Sequence, residues 1–153
     1  MTFLTAGPTR VTHITRDVSY NIIFLDNSGS LKLYSPSRNT LQQLSARDPP
    51  GPVRETKIAF KLNPAKNRLL FLVNETRLEE FILGGDGAQF VTTYADDKFR
   101  IEDFAYSKEL ERKGEEYQIL MISQSGILKK INKGQGDQAK RFEIDKGRQR
   151  ILV

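Results

Sequence analysis

Apolar and polar residues alternate with a period of two through most of this chain. The alternating runs are five to seven residues long and are broken by short polar turns, the pattern of half-buried β-strands. Three stretches repeat one phrasing without a gap: Ile22 to Tyr34 (IIFLDNSGSLKLY), Leu69 to Phe81 (LLFLVNETRLEEF) and Ile119 to Ile131 (ILMISQSGILKKI). Phe24, Phe71 and Met121 align, as do Leu31, Leu78 and Leu128, and then Tyr34, Phe81 and Ile131. The offsets are 47 (71 less 24) and 50 (121 less 71). A period of that length marks a repeat architecture.

Each repeat predicts four strands. In the first, Thr9 to Arg16 precedes the turn Asp17 to Asn21. Ile22 to Asp26 follows, then a tight turn at Asn27-Ser28-Gly29, where Asn and Gly tolerate positive φ. Leu31 and Leu33 alternate with polar neighbours, and Ser35 to Asn39 turns the chain into a run carrying Leu41 and Leu44. The connector Ser45 to Glu55 holds three of the six prolines and is read as a loop between units, because proline removes ladder donors. In the second repeat Ile58, Phe60 and Leu62 alternate, Pro64 to Asn67 turn, RLLFLVN and RLEEFIL form a hairpin, and Gly84 to Gly87 lead into AQFVTTY. The third runs FRIEDFAYS, EYQILMIS, GILKKI and AKRFEI, with Gly126 at the position of Gly29. Its first loop, Lys108 to Glu116, is long enough for about one helical turn and too polar for a core element. The apolar Ile151-Leu152-Val153 is expected to dock as a strand end, unless the native chain continues.

The expectation is a single all-β domain over 1–153, with antiparallel four-stranded repeats at about 9–45, 56–95 and 99–145. At this length a chain buries roughly 70% of its unfolded surface and folds on an ordinary core. The stretch IAFKLNPAKNRLLFLVNETRLEEF resembles WD40-like β-propeller repeats, in which an apolar strand ends in a short polar turn before the next strand. The resemblance spans about residues 9 to 145 without a Gly-His, a Trp-Asp or any Trp, and implies propeller-type blades. Three blades do not close a ring, since propellers use about four to eight. The blades would be half of a ring made by a homodimer, would dock onto a partner's blades, or would be a fragment. A β-trefoil, also three four-stranded repeats, is the alternative fold. The segment LKKINKGQGDQAKRFEI looks like the end of a trefoil growth factor or cytokine.

Composition narrows the chemistry. There is no Cys, so disulfides, thiolate nucleophiles and the common zinc sites drop out together, which fits a reducing compartment. No basic region followed by a long apolar run opens the chain, and no stretch reaches the roughly 20 apolar residues of a membrane helix. A protein of the cytoplasm or nucleus with no membrane association is expected. His13, the single histidine, reads as a strand position. The pairs Glu79-Glu80, Asp96-Asp97 and Glu115-Glu116 are adjacent in sequence and point to opposite faces of a strand, which suits no shared catalytic site. Gly84 to Gly87 lack the Lys-Ser/Thr and helix of a phosphate loop. Asn74-Glu75-Thr76 reads as a hairpin turn rather than a glycosylation site. No cofactor, metal or catalytic residue is expected.

The net charge of +5 is local. From Lys129 onward eight bases face three acids, and the rest of the chain carries sixteen of each (24 less 8, and 19 less 3). Lys129, Lys130, Lys133, Lys140, Arg141, Lys146, Arg148 and Arg150 are therefore the candidate contacts for a polyanion, a nucleic acid or a sulfated glycan. Phe142 is the one aromatic in that segment, too little for base reading. Sugar binding is a weaker expectation, because the aromatic series Tyr34, Phe81 breaks at Ile131. The leading expectation is a non-enzymatic protein–protein interaction and assembly module, self-associating or binding another protein.

Overall fold

The computed structural model of the chain describes residues 10–51, 59–85, 87–107, 117–133 and 139–143, with the last five placed by their backbone alone. Twelve strands run through these residues and form three four-stranded antiparallel sheets. The first sheet is β1 (Val11–Arg16), β2 (Ile22–Asp26), β3 (Ser30–Ser35) and β4 (Thr40–Ala46), in that order. The second is β5 (Phe60–Leu62), β6 (Arg68–Asn74), β7 (Arg77–Gly84) and β8 (Gly87–Ala95), and the third β9 (Ile101–Tyr106), β10 (Tyr117–Ser123), β11 (Ile127–Lys133) and β12 (Ala139–Glu143). Every sheet takes its strands from one repeat and in chain order. The expected repeat thus builds sheets of the propeller-blade kind, and the trefoil alternative, which would pair strands of different repeats in one barrel, is not adopted. The helical turn expected at 108–116 and the strand end expected at 151–153 lie outside the described residues. So does the start of the second repeat, including Ile58, and β5 begins at Phe60.

Two compact units divide the chain, 1–94 and 95–153. In the first unit one face of the first sheet packs on one face of the second. Ile23, Leu25, Leu31 and Leu33 meet Phe60, Leu69, Phe71, Val73, Phe81 and Leu83, with Leu44 and Leu62 at the margin. Each such side chain contributes about 1.5–3 kcal/mol by leaving water. Ladder alternation explains the choice: Ile23 and Leu25 share a face with their partners Leu33 and Leu31, and Phe24 falls on the opposite face. Polar bridges bind the sheets at their ends. Val18 N donates to the Lys66 carbonyl (2.9 Å) and Asp48 N to that of Val73 (3.1 Å). The Gln42 amide donates to the Ala88 carbonyl (3.0 Å), and the Ser45 hydroxyl donates to the Glu79 carboxylate.

In the second unit β10 sits between β9 and β11, with Met121 opposite Phe104 and Ile119 opposite Tyr106 and Ile131. These five side chains are buried, whereas Leu120, Ile122 and Leu128 on the other face are half-buried.

Turn chemistry repeats along with the strands. In the first β1–β2 connection the buried Asp17 accepts from Ser19 N (2.8 Å) and Asn21 N (2.9 Å), and Tyr20 takes a left-handed φ of 62°. In the β5–β6 connection Asn63 accepts from Asn67 N (3.0 Å) and Arg68 N (2.9 Å), and Lys66 takes φ 56°. The β2–β3 turn has Asp26 accepting from Ser28 N and Ser30 N, with Gly29 at φ 86°. Its equivalents are Asn74 accepting from Thr76 N, which bears out the turn reading of Asn74-Glu75-Thr76, and Ser123 before Gly126 at φ 88°.

Candidate functional site

Three surfaces carry the features that could bind something. The first is the face of the first sheet opposite the core, made of Val11 and Ile14 on β1, Ile22 and Phe24 on β2, Lys32 and Tyr34 on β3, and Leu41 and Gln43 on β4. The register places these residues side by side: Ile14 opposite Phe24 opposite Lys32 opposite Gln43, and Ile22 opposite Tyr34 opposite Leu41. Phe24 is sunk into the sheet, yet Ile14 is 67% exposed, Leu41 47% and Val11 44%. These three exposed apolar side chains share one face with the half-buried Ile22 and Tyr34. An ion pair between Lys32 and the buried Asp26 (3.4 Å) crosses one end of it. Burial pushes the Asp26 carboxyl up, but the Ser28 hydroxyl, the backbone N–H groups of Ser30 and Ser28 and the Lys32 ammonium outweigh it. The carboxyl therefore sits below its ordinary value.

The repeat gives this face a counterpart. Phe71 is the second-repeat counterpart of Phe24, and Phe71 lies in the core formed where the second sheet packs on the first. The face of the first sheet that bears Phe24 is thus the counterpart of a face that, one repeat later, receives a neighbouring sheet.

The basic residues expected to bind a polyanion are placed by β11 and β12. The register sets Lys129 opposite Arg141 and Lys130 opposite Lys140; the two pairs are successive and so fall on opposite faces of the ladder. Like charges in such positions repel. One pair has a counter-charge: Lys129 Nζ is 3.5 Å from Asp96 Oδ2 and lies 5.6 Å from the centre of the Phe99 ring. Lys130 is half-buried. Lys133 closes β11 opposite Tyr117 on β10, with only its backbone described. Lys146, Arg148 and Arg150 lie outside the described residues. The series considered for sugar stacking forms no repeated platform. Tyr34 is half-buried with its hydroxyl donating to Asn39 (2.9 Å), and Phe81 and Ile131 are buried.

The third surface was not visible in the sequence. A cleft of about 360 Å³ opens between β1 and β5, lined by His13, Thr15 and the Ile14 that also belongs to the first surface on one side and by Phe60, Lys61 and Leu62 on the other, with Asn63, Pro64 and Lys66 at its end. His13 is exposed, and its ring meets Phe60 edge-on at 6.5 Å. His13 is a strand residue, as read from its place among Val11 and Ile14, but the alternation gave no sign that it would face the second sheet. Among the described residues no group of His, Asp and Glu could hold a metal ion, and no helix is long and apolar enough to cross a membrane.

No protein-family model matches the sequence, and no curated protein matches it. Solved structures do. The β-propeller domain of Myceliophteria thermophila Cps50 (Swd1) superposes with a TM-score of 0.59 at 14% identity, over 88% of this chain and 43% of that one. The WD40 domain of SCAP from fission yeast gives 0.54 at 12% identity, over 90% and 34%. The N-terminal domain of Nup159 gives 0.52 at 11% identity, over 92% and 38%. The chain spans less than half the length of each of these structures. Its three sheets, each built in chain order from one repeat, have the β-propeller fold.

Proposed function

We propose that this chain is a non-enzymatic protein-interaction module that completes its propeller with a blade supplied by another polypeptide. The observation that carries the reading is the exposed face of the first sheet, whose second-repeat counterpart is covered by a sheet. A blade face that leaves Ile14, Leu41 and Val11 in water loses about 25 cal/mol for each Å² of apolar surface left unburied. The supplier we favour is a second copy of the chain. Three sheets from each of two copies make six, within the range of about four to eight blades that close a ring. The half-buried Leu120, Ile122 and Leu128 of β10 and β11 offer the matching face. The propeller fold supports this role, since the similar structures include a WD40 domain and a β-propeller domain.

The test uses Val11→Asp and Leu41→Asp together. Both side chains are exposed, so the variant folds, and a charge placed on each opposes burial of this face. Size-exclusion chromatography with light scattering should show the wild-type chain associating and the variant at least tenfold weaker in association. Equal association of the two would sink the assignment of the face.

A second reading is favoured by the β11–β12 register alone: the paired positions Lys130/Lys140, on the face opposite Lys129/Arg141, would contact a polyanion, with Lys133, Lys146, Arg148 and Arg150 extending the charge.

A further inference from the structure

Each of the three sheets ends in two edge strands, whose outward N–H and C=O groups are a template for pairing with another chain. Five of these six edges carry a feature that blunts them: charge, a bulge or very short length. β1 holds Arg16 and a bulge between Val11 and His13, and β4 has a bulge at Leu44, which the register skips between Gln43 and Ser45. β5 is three residues long with Lys61 at its centre, β9 holds Glu102 and Asp103, and β12 holds Lys140 and Arg141. β8 is the exception. At nine residues it is the longest strand among the described residues, and its sequence GAQFVTTYA contains no charged residue and no proline. Its β-branched and aromatic residues suit an extended, half-buried ribbon.

A contact from the first sheet shows which way the main chain of β8 points. The Gln42 side-chain amide donates to the Ala88 carbonyl (3.0 Å) and accepts from Ala88 N (3.4 Å). The main-chain groups of Ala88 therefore point away from β7, the neighbour of β8 in its sheet, and alternation turns those of Phe90 and Thr92 the same way. An amide that both donates and accepts stands in for one peptide unit of an added strand. Gln42 fills the first outward position of β8, and the sheet holds no strand for the next two. Phe90 adjoins them. Its side chain is 56% exposed, and its ring meets the buried Phe81 edge-on at 5.8 Å, which leaves an apolar step beside the outward backbone.

We infer that β8 receives an extended, uncharged segment of another protein, which adds a fifth strand to the second sheet through the main chain of Phe90 and Thr92 and lays an apolar side chain on Phe90. A neutral segment is selected because no residue of β8 offers it a counter-charge. Gln42 brings the first sheet alongside the start of β8, so a single segment fits there where the edge of a second folded sheet would meet β4. Pairing of β8 with a second copy is the competing occupant, and the oligomeric state separates the two.

Three fluorescein-labelled octapeptides are titrated into the full chain. One alternates Thr and Val around a central Ile, one is the same peptide with alternate backbone nitrogens methylated, and one has Glu in place of every Thr. The first should bind, the methylated peptide should not, and the Glu peptide should bind at least tenfold more weakly. Amide shift changes in NMR spectra should centre on β8. Thr92→Pro removes an outward N–H and leaves the bonds towards β7 in place, and Phe90→Lys sets a charge on an exposed side chain, so that variant folds. Each should weaken binding of the first peptide at least tenfold, and Phe90→Lys should leave self-association of the chain as it was. The inference is overturned if the first peptide does not bind, if the methylated peptide binds as well, if Phe90→Lys leaves binding unchanged, or if the shifts centre on β1, β4 or β12. It is overturned equally if Phe90→Lys weakens self-association, since β8 then meets a second copy. Val11→Asp with Leu41→Asp changes no residue of β8, so the peptide should bind that variant unaltered whatever becomes of self-association.

Discussion

Replacing Asp17 tests how the first two blades are held together. Its carboxylate is fully buried and accepts three hydrogen bonds: from Ser19 N (2.8 Å), from Asn21 N (2.9 Å) and from the Asn21 side-chain amide (2.9 Å). That same amide donates to the Gly84 carbonyl (2.9 Å) on β7 of the second sheet, so the turn and the blade contact share one group. Asp17→Asn keeps one oxygen for the two backbone donors but turns a second donor towards the Asn21 amide. Flipping Asn21 would relieve that clash only by setting its oxygen against the Gly84 carbonyl. One buried pairing is lost either way, at about 1–3 kcal/mol. Asp17→Ala removes all three accepted bonds. Bonds to a charged acceptor are worth about 1.5–3 kcal/mol each, and members of one network do not add, so about 3–5 kcal/mol is expected. Urea unfolding followed by circular dichroism reads both variants, as a lower midpoint at an unchanged slope. An Asp17→Ala protein within about 0.5 kcal/mol of wild type would refute the reasoning, since surface substitutions fall in that range.

Other outcomes follow from the same geometry. Gly29→Ala should cost about 2 kcal/mol or more, measured by the same unfolding assay. Its φ of 86° disfavours a side chain, and the added Cβ would lie 2.7 Å from the Gly51 carbonyl oxygen and 2.8 Å from Arg47 Cβ. Asp26 titrates below its ordinary value when folded, so its contribution is full above the unfolded value near 3.9 and is lost as pH falls below it. Asp26→Asn should therefore flatten the fall in stability between about pH 4.5 and pH 2, and an unchanged acid slope would contradict this. Lys130→Glu with Lys140→Glu should abolish salt-sensitive retention on heparin if the β11–β12 ladder binds polyanions, whereas unaltered retention would remove that reading.

The fold was largely legible because the repeat carried its register with it. Phe24, Phe71 and Met121 align in sequence and are all buried, and the turns at Gly29 and Gly126 share a left-handed backbone. Alternation separates the two faces of a strand but does not say which face meets which sheet. That is why Phe24 and Phe71, identical in pattern, differ in what covers them. The cleft was illegible for a related reason: His13 lies 48 positions before Lys61 (61 less 13), and only packing of sheet on sheet brings them together. One signal was present and unread. Asp17 with Asn21, and Asn63 with Asn67, repeat the same four-residue spacing of side chains that accept backbone N–H groups, and this predicts the matching turns at Tyr20 and Lys66. The basic residues near the end were easy to count, but counting could not show that Lys129 is already paired with Asp96.

The central claim is that the exposed face of the first sheet is closed by a blade from a second copy. Sedimentation equilibrium of the wild-type chain over a hundredfold range of concentration tests it most directly. A reversible monomer–dimer equilibrium is expected that tends to twice the chain mass and stops there, because two sets of three blades close one ring. A chain that stays monomeric across the range, or that grows beyond the dimer without limit, would contradict it.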